Sequence, residues 1–115
     1  MAGWRTAARP VKSIPQITVH ELKARLQRGE INLLDVRQPD EWHAGHVNGA
    51  NYITGAELPD RLEEMPRDRP LAVTCGSGYR SSVAASLLSH HDHPDVVNVT
   101  GGMTAWNNAG YPLQQ

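Results

Sequence analysis

The residues that could do chemistry are concentrated in one stretch, Val73-Thr74-Cys75-Gly76-Ser77-Gly78-Tyr79-Arg80-Ser81-Ser82. An apolar run ends at a thiol, a glycine-rich turn follows, and a helical pattern starts a few residues later. Turn glycines accept φ > 0, which lets successive backbone N–H groups converge as an anion-binding nest. A helix start adds its unpaired N–H groups and the positive end of its dipole. The anion on offer is the Cys75 thiolate, whose pKa is expected to fall below the free value of about 8.5. Arg80 adds a permanent positive charge at the rim. The chemistry implied is that of an activated sulfur nucleophile in a bowl of N–H donors. The alternative is a strand-end cysteine packed as a small hydrophobe, beside an ordinary turn, which is what free Cys usually is. The conjunction of thiol, glycines, Arg and helix start favours the nucleophile.

The surrounding pattern supplies elements to hold that loop. Thr18 and Glu21 form a capping box ahead of Val19, Leu22 and Leu26, which predicts a helix over 19–28 with Gly29 as its stop. The run 31–36 reads as a buried strand. A helical turn begins at Pro39. Strand is expected at 51–53 and a short helix at 58–65, bounded by Pro59 and Pro66. The clearest strand is 71–75, followed by a helix over 81–88. Strand 96–99, the pair Gly101-Gly102 and a last helix over 103–109 complete the chain. Strands alternating with helices predict an α/β domain with a parallel sheet covered on both faces. Ligands in such sheets sit at the carboxyl ends of strands, where Cys75 falls. Residues 1–15, with Pro10 and Pro15 and no periodicity, read as a linker or the tail of a preceding unit. Residues 16–115 read as a single domain.

Composition agrees with one globular unit. The chain has 115 residues, 39% hydrophobic and 20% charged, enough to bury about two-thirds of its unfolded surface. Eleven basic residues against twelve acidic ones give a net charge of −1, which excludes a strong electrostatic case for nucleic acid or an anionic membrane. No apolar run approaches the ~20 residues of a membrane span, and the N-terminus lacks a signal-peptide pattern. A single cysteine forbids an internal disulfide and any multi-Cys zinc site. A lone thiol fits a reducing, cytoplasmic setting. His43 and His46 have H-x-x-H spacing but no third ligand, so no metal is expected; His46 reads as a hydrogen-bonded structural residue. His90, His91 and His93 read as a solvated helix end. Trp42 and Trp106 read as packing residues, and Tyr79 as exposed beside the bowl.

Three blocks, in order and covering about residues 16–113, make the chain resemble the rhodanese-like domains. They are Leu33-Leu34-Asp35-Val36-Arg37 with Glu41-Trp42, Gly45-His46-Val47 and Gly49-Ala50; the loop from Cys75 to Ser81; and Val97-Asn98-Val99 with Gly101-Gly102, Ala105-Trp106, Gly110 and Pro112. The resemblance implies that Cys75 takes sulfane sulfur from a donor as a persulfide and passes it to a thiophilic acceptor. Gly76, Ser77, Gly78, Tyr79, Arg80 and Ser81 would surround the substrate, with Arg80 holding an anionic donor such as thiosulfate. Glutathione persulfide is the other donor implied, with a thiol, sulfite or cyanide as acceptor. Asp35 and Arg37 would be a structural ion pair near the site. No cofactor is implied, and no general base is needed for a thiolate already formed.

Related phosphatases and arsenate reductases use a loop one residue longer. Here four residues lie between Cys75 and Arg80, a shorter ring that suits one sulfur atom better than a tetrahedral oxyanion. A non-catalytic sulfur-carrier or interaction module of a larger protein is a further alternative. The pattern W-x-x-A-x-x-P occurs at Trp4–Pro10 and again at Trp106–Pro112, as if the first copy closed a preceding unit. Together with the loop and the small residues after it, it resembles rhodanese modules fused to metallo-β-lactamase-fold persulfide dioxygenases.

Overall fold

A computed structural model describes residues 14–115, so the first copy of the W-x-x-A-x-x-P pattern, and most of the expected linker, lie outside the described residues. Five strands form one parallel sheet: β1 (Gln16–Ile17), β2 (Asn32–Asp35), β3 (Asn51–Tyr52), β4 (Leu71–Thr74) and β5 (Val96–Val99). Their order across the sheet is β1-β5-β4-β2-β3. β4 is therefore central, flanked by β2 and β5, with Leu34 opposite Val73 and Val73 opposite Asn98. The described residues also form four α-helices: α1 (Val19–Gln27), α2 (Pro39–Ala44), α3 (Tyr79–His90) and α4 (Gly102–Asn108).

The period-2 alternation of β4 divides the core into two layers. Leu71, Val73 and Cys75 join Leu34, Val36, Ala84, Ala85 and Leu88 on the α3 face. Ala72 joins Leu22, Leu33, Val99, Met103 and Trp106 on the face covered by α1 and α4. All four β4 residues are buried, as a central strand covered on both faces requires. Helix α1 starts where the capping residues place it: the Thr18 hydroxyl accepts the Glu21 N–H at 3.1 Å.

Several local expectations need correction. The stretch 58–65 is not an α-helix but two 3-10 turns, Leu58–Asp60 and Leu62–Glu64. Two prolines bracket only a few residues there, too few to close several i→i−4 bonds. Helix α3 starts at Tyr79 rather than at Ser81, because Gly78 takes a left-handed φ of 107° and caps it directly. Tyr79, Arg80 and Ser81 thus form its first turn. The histidine cluster is only partly solvated: His90 and His91 are exposed, but His93 is buried and its Nε2 lies 2.8 Å from the Pro66 carbonyl. The edge strand β1 carries no periodicity of its own; its pairing with Asn98 and Val99 defines it. Among the described residues, no helix is long and apolar enough to cross a membrane.

Candidate active site

Cys75 leaves the carboxyl end of β4 with no surface exposed (0%). The loop after it turns directly into α3, and its backbone closes around the sulfur. Sγ receives the Gly78 N–H at 3.1 Å and the Ser81 N–H at 3.3 Å, and lies 3.4 Å from the Ser81 hydroxyl. The loop N–H groups can face inward because the loop carbonyls are held outward. Met103 N–H donates to the Cys75 carbonyl at 2.7 Å, and Thr104 N–H to the Gly76 carbonyl at 2.9 Å. Two N–H groups at the start of α4, unpaired within their own helix, thereby fix the peptides of the cysteine loop. This approach needs glycine at position 102. A Cβ there would sit 2.3 Å from the Cys75 carbonyl oxygen, and φ is +53°.

Two opposed effects act on the thiol. Burial pushes its pKa up. The Ser81 hydroxyl, then the N–H groups of Ser81, Gly78 and Ser77, stabilise the thiolate and outweigh it, so the net shift is downward. Ser81 is itself fully buried, and its hydroxyl lies 2.5 Å from Asn98 Oδ1 and 3.2 Å from the Gly78 carbonyl. Asn98 Nδ2 donates to Gln16 Oε1 at 3.0 Å. A hydrogen-bonded chain thus runs from the sulfur through Ser81 and β5 to β1.

The rim is built from α2 and α3. Arg80 makes a two-point ion pair with Glu41, at 2.8 and 3.0 Å. Glu41 Oε1 also accepts the Gln38 N–H at 2.9 Å, which caps α2. The Arg80 hydrogen bond chiefly holds the Glu41 carboxyl down at about 2; burial opposes it, and the Gln38 N–H assists. Arg80 is raised in turn, first by its hydrogen bond to Glu41 and to a smaller extent by the nearby Cys75 sulfur. Tyr79 is 75% exposed at the mouth. Ser77 is exposed at the loop tip, and the space over Gly76 is filled by the Arg80 guanidinium, 2.9 Å from where a Cβ would stand.

Asp35 and Arg37 form a buried ion pair at the end of β2, with Arg37 Nη2 and Nε both bonded to the carboxylate at 2.8–3.0 Å. Arg37 Nη2 also donates to the Gly45 carbonyl at 2.8 Å, bracing the far end of α2. His46 Nδ1 lies 2.9 Å from the Trp42 carbonyl, and its ring stacks on Trp42 at 3.6 Å. These residues hold α2, and so Glu41, in place; none of their hydrogen bonds reaches Sγ. No group of three His, Cys, Asp or Glu suited to a metal occurs among the described residues. The site roles of Glu41, Asn98 and Gly102 are not apparent from sequence alone. The one local signal is Glu41 three residues after Gln38, which marks a cap but not a partner for Arg80.

The comparisons with known proteins agree with this architecture. The sequence model of the rhodanese-like domain matches residues 18–109. The HTH-type transcriptional regulator Rv0324 of Mycobacterium tuberculosis is 36% identical over 118 residues, which cover the whole of this chain and 52% of that protein. The putative sulfur carrier protein YrkF of Bacillus subtilis is 30% identical, over 90% of this chain and 57% of its own length. The chain thus spans about half the length of these two relatives. The thiosulfate sulfurtransferase GlpE of Vibrio cholerae is 29% identical over 85% of this chain and 92% of its own. A rhodanese-related protein from Thermoplasma volcanium superposes with a TM-score of 0.81 at 31% identity, covering 87% of this chain and 97% of that one. The chain belongs to the rhodanese-like domain family, whose α/β fold its five-stranded parallel sheet adopts.

Proposed function

We propose that the chain is a sulfurtransferase that carries sulfane sulfur as a persulfide on Cys75. The observation that carries this reading is the convergence of the Gly78 and Ser81 N–H groups and the Ser81 hydroxyl on one buried sulfur. With thiosulfate as donor, the Cys75 thiolate attacks the outer sulfur. A new S–S bond forms, the donor's S–S bond breaks with its electron pair, and sulfite leaves. The anionic persulfide sulfur then stands where loop N–H groups can stabilise it. A thiophilic acceptor attacks that outer sulfur and returns the thiolate; with cyanide the product is thiocyanate. The lone cysteine leaves no resolving thiol in the chain, so an external nucleophile must discharge the persulfide. A lone thiol nucleophile also fits a reducing, cytoplasmic setting.

The sulfur-carrier reading has its own support. Arg80, the cation expected to hold a small anionic donor, is already engaged by Glu41, and one relative is described as a putative sulfur carrier. Under that reading the chain would load readily and turn over slowly with free small molecules. The longer relatives favour an attached partner, but those two are a transcriptional regulator and a sulfur carrier rather than a metallo-β-lactamase-fold enzyme. Intact mass after brief thiosulfate treatment and desalting tests the cycle. The expected result is a gain of one sulfur atom, removed by cyanide with thiocyanate release and absent in Cys75→Ser. A gain retained in Cys75→Ser, or no gain with either thiosulfate or glutathione persulfide, overturns it.

A further inference from the structure

Both terminal nitrogens of Arg80 hold the Glu41 carboxylate, at 2.8 and 3.0 Å, and the Cys75 sulfur is near enough to add a smaller influence on the guanidinium. The pair lies directly over the loop: above Gly76, the position a Cβ would take is 2.9 Å from Arg80 Nη2 and 3.5 Å from Glu41 Oε2. Both side chains reach solvent, at 41% and 33% exposure. The cation at the mouth is therefore neutralised in place by a carboxylate of the same chain.

We propose that Glu41 is a specificity-determining residue of this site: its carboxylate occupies the guanidinium fork that an anionic donor would use, so a donor anion must displace it to reach Cys75. The proposal rests on Cys75 being the reactive sulfur. Its consequence is a preference among donors. A compact dianion such as thiosulfate loses most from a neutralised mouth, because charge is its main means of recognition. A singly charged organic persulfide loses less. Beside Arg80 it also finds a largely apolar cleft of about 460 Å³, whose walls include Val36, Ala56, Leu58 and Val83. Glu41 is placed to do this without being needed to build the loop, since its structural task is to cap α2 through Oε1. Glutamine at that position keeps the capping acceptor and removes the charge.

Alkylation of Cys75 by iodoacetate and by iodoacetamide tests the proposal. The two reagents differ in charge and attack the same thiolate, so their rate ratio cancels any change in thiolate population. Glu41→Gln is expected to raise the ratio of iodoacetate to iodoacetamide by about two- to fivefold, the range for one partly exposed charge. Arg80→Gln is expected to leave the ratio at or below the wild-type value. In the same Glu41→Gln protein, the KM for thiosulfate should fall by a similar factor, and by less for benzenethiosulfonate, which carries one charge. An unchanged ratio overturns the proposal. So does a failure of both reagents to modify either protein, since a charge guarding an unreachable sulfur selects nothing. If the ratio rises while the wild type accepts sulfur from no donor, the persulfide reading fails and the assignment of Glu41 stands.

Discussion

The Ser81 hydroxyl carries one hydrogen and has three neighbours that can accept it: Cys75 Sγ, Asn98 Oδ1 and the Gly78 carbonyl. With Cys75 protonated, the S–H can donate to Ser81, and Ser81 to Asn98. Once the thiolate forms, the Ser81 hydrogen is worth more on sulfur, because a hydrogen bond to a charged acceptor is roughly twice as strong as a neutral one. Ser81→Ala therefore removes more stabilisation from the thiolate than from the thiol. The group titrates higher, so at any pH below its midpoint less thiolate is present. The iodoacetamide rate against pH should show a midpoint below the ordinary thiol value in the wild type and a higher one in Ser81→Ala. A midpoint that does not move would show that the backbone N–H groups alone set the thiol. The same variant leaves Asn98 Oδ1 buried without its partner, which is expected to cost about 1–3 kcal/mol in urea unfolding. Residue by residue, the candidate nucleophile was legible because a thiol, two glycines and an Arg fall within six positions. Its supports were not, because Asn98, Glu41 and Gly102 lie far from it along the chain and meet it only through the sheet order and helix placement.

At the scale of elements, the cysteine loop is shaped by a helix it is not joined to. The first turn of α4 takes the carbonyls of Cys75 and Gly76, and so decides which way those peptides face. Gly102 permits the approach. Gly102→Ala would place a methyl 2.3 Å from the Cys75 carbonyl at a φ of +53°. The strained backbone alone is worth about 1–3 kcal/mol, and the contact must be relieved by moving α4 or the loop. The expected outcome is a lower urea midpoint together with slower alkylation of Cys75, since the movement falls on its own peptide. Loss of stability with an unaltered alkylation rate would show that the loop holds its shape without α4. Most of the elements were legible from periodicity and capping, as Thr18 with Glu21 and the run 71–75 illustrate. The boundaries were not: the two 3-10 turns replace a helix, and the start of α3 depends on the left-handed Gly78. Proline spacing and glycine content point to breaks there but do not specify the hydrogen-bond register on either side.

At the scale of the whole molecule, the strand order brings three separated segments to one edge of the sheet. β2, β4 and β5 end beside one another, so the segments leaving these strands can build one site: Arg37 and α2 after β2, the cysteine loop after β4, Gly101 and α4 after β5. The alternation of strands and helices implied a parallel sheet but not this order, which is settled by pairing between distant segments. The Asp35–Arg37 pair ties the edge together, because Arg37 reaches from the end of β2 to the Gly45 carbonyl beyond α2. Asp35 is 1% exposed, so its charge is tolerable only while Arg37 remains. Arg37→Met removes the partner and leaves a buried carboxylate, at a cost of about 3–5 kcal/mol. Adding Asp35→Asn in that background discharges the orphaned group and should recover part of the loss. Because α2 also carries Glu41, the loss of Arg37 should loosen the rim as well. Amide hydrogen exchange in α2 should accelerate more than in α1, which is held by the core layer it shares with α4. Urea unfolding of the two variants, with exchange measured segment by segment, separates these effects. A cost under about 1 kcal/mol for Arg37→Met, or no recovery from Asp35→Asn, would mean that the pair is a by-product of the fold rather than the brace that positions its rim.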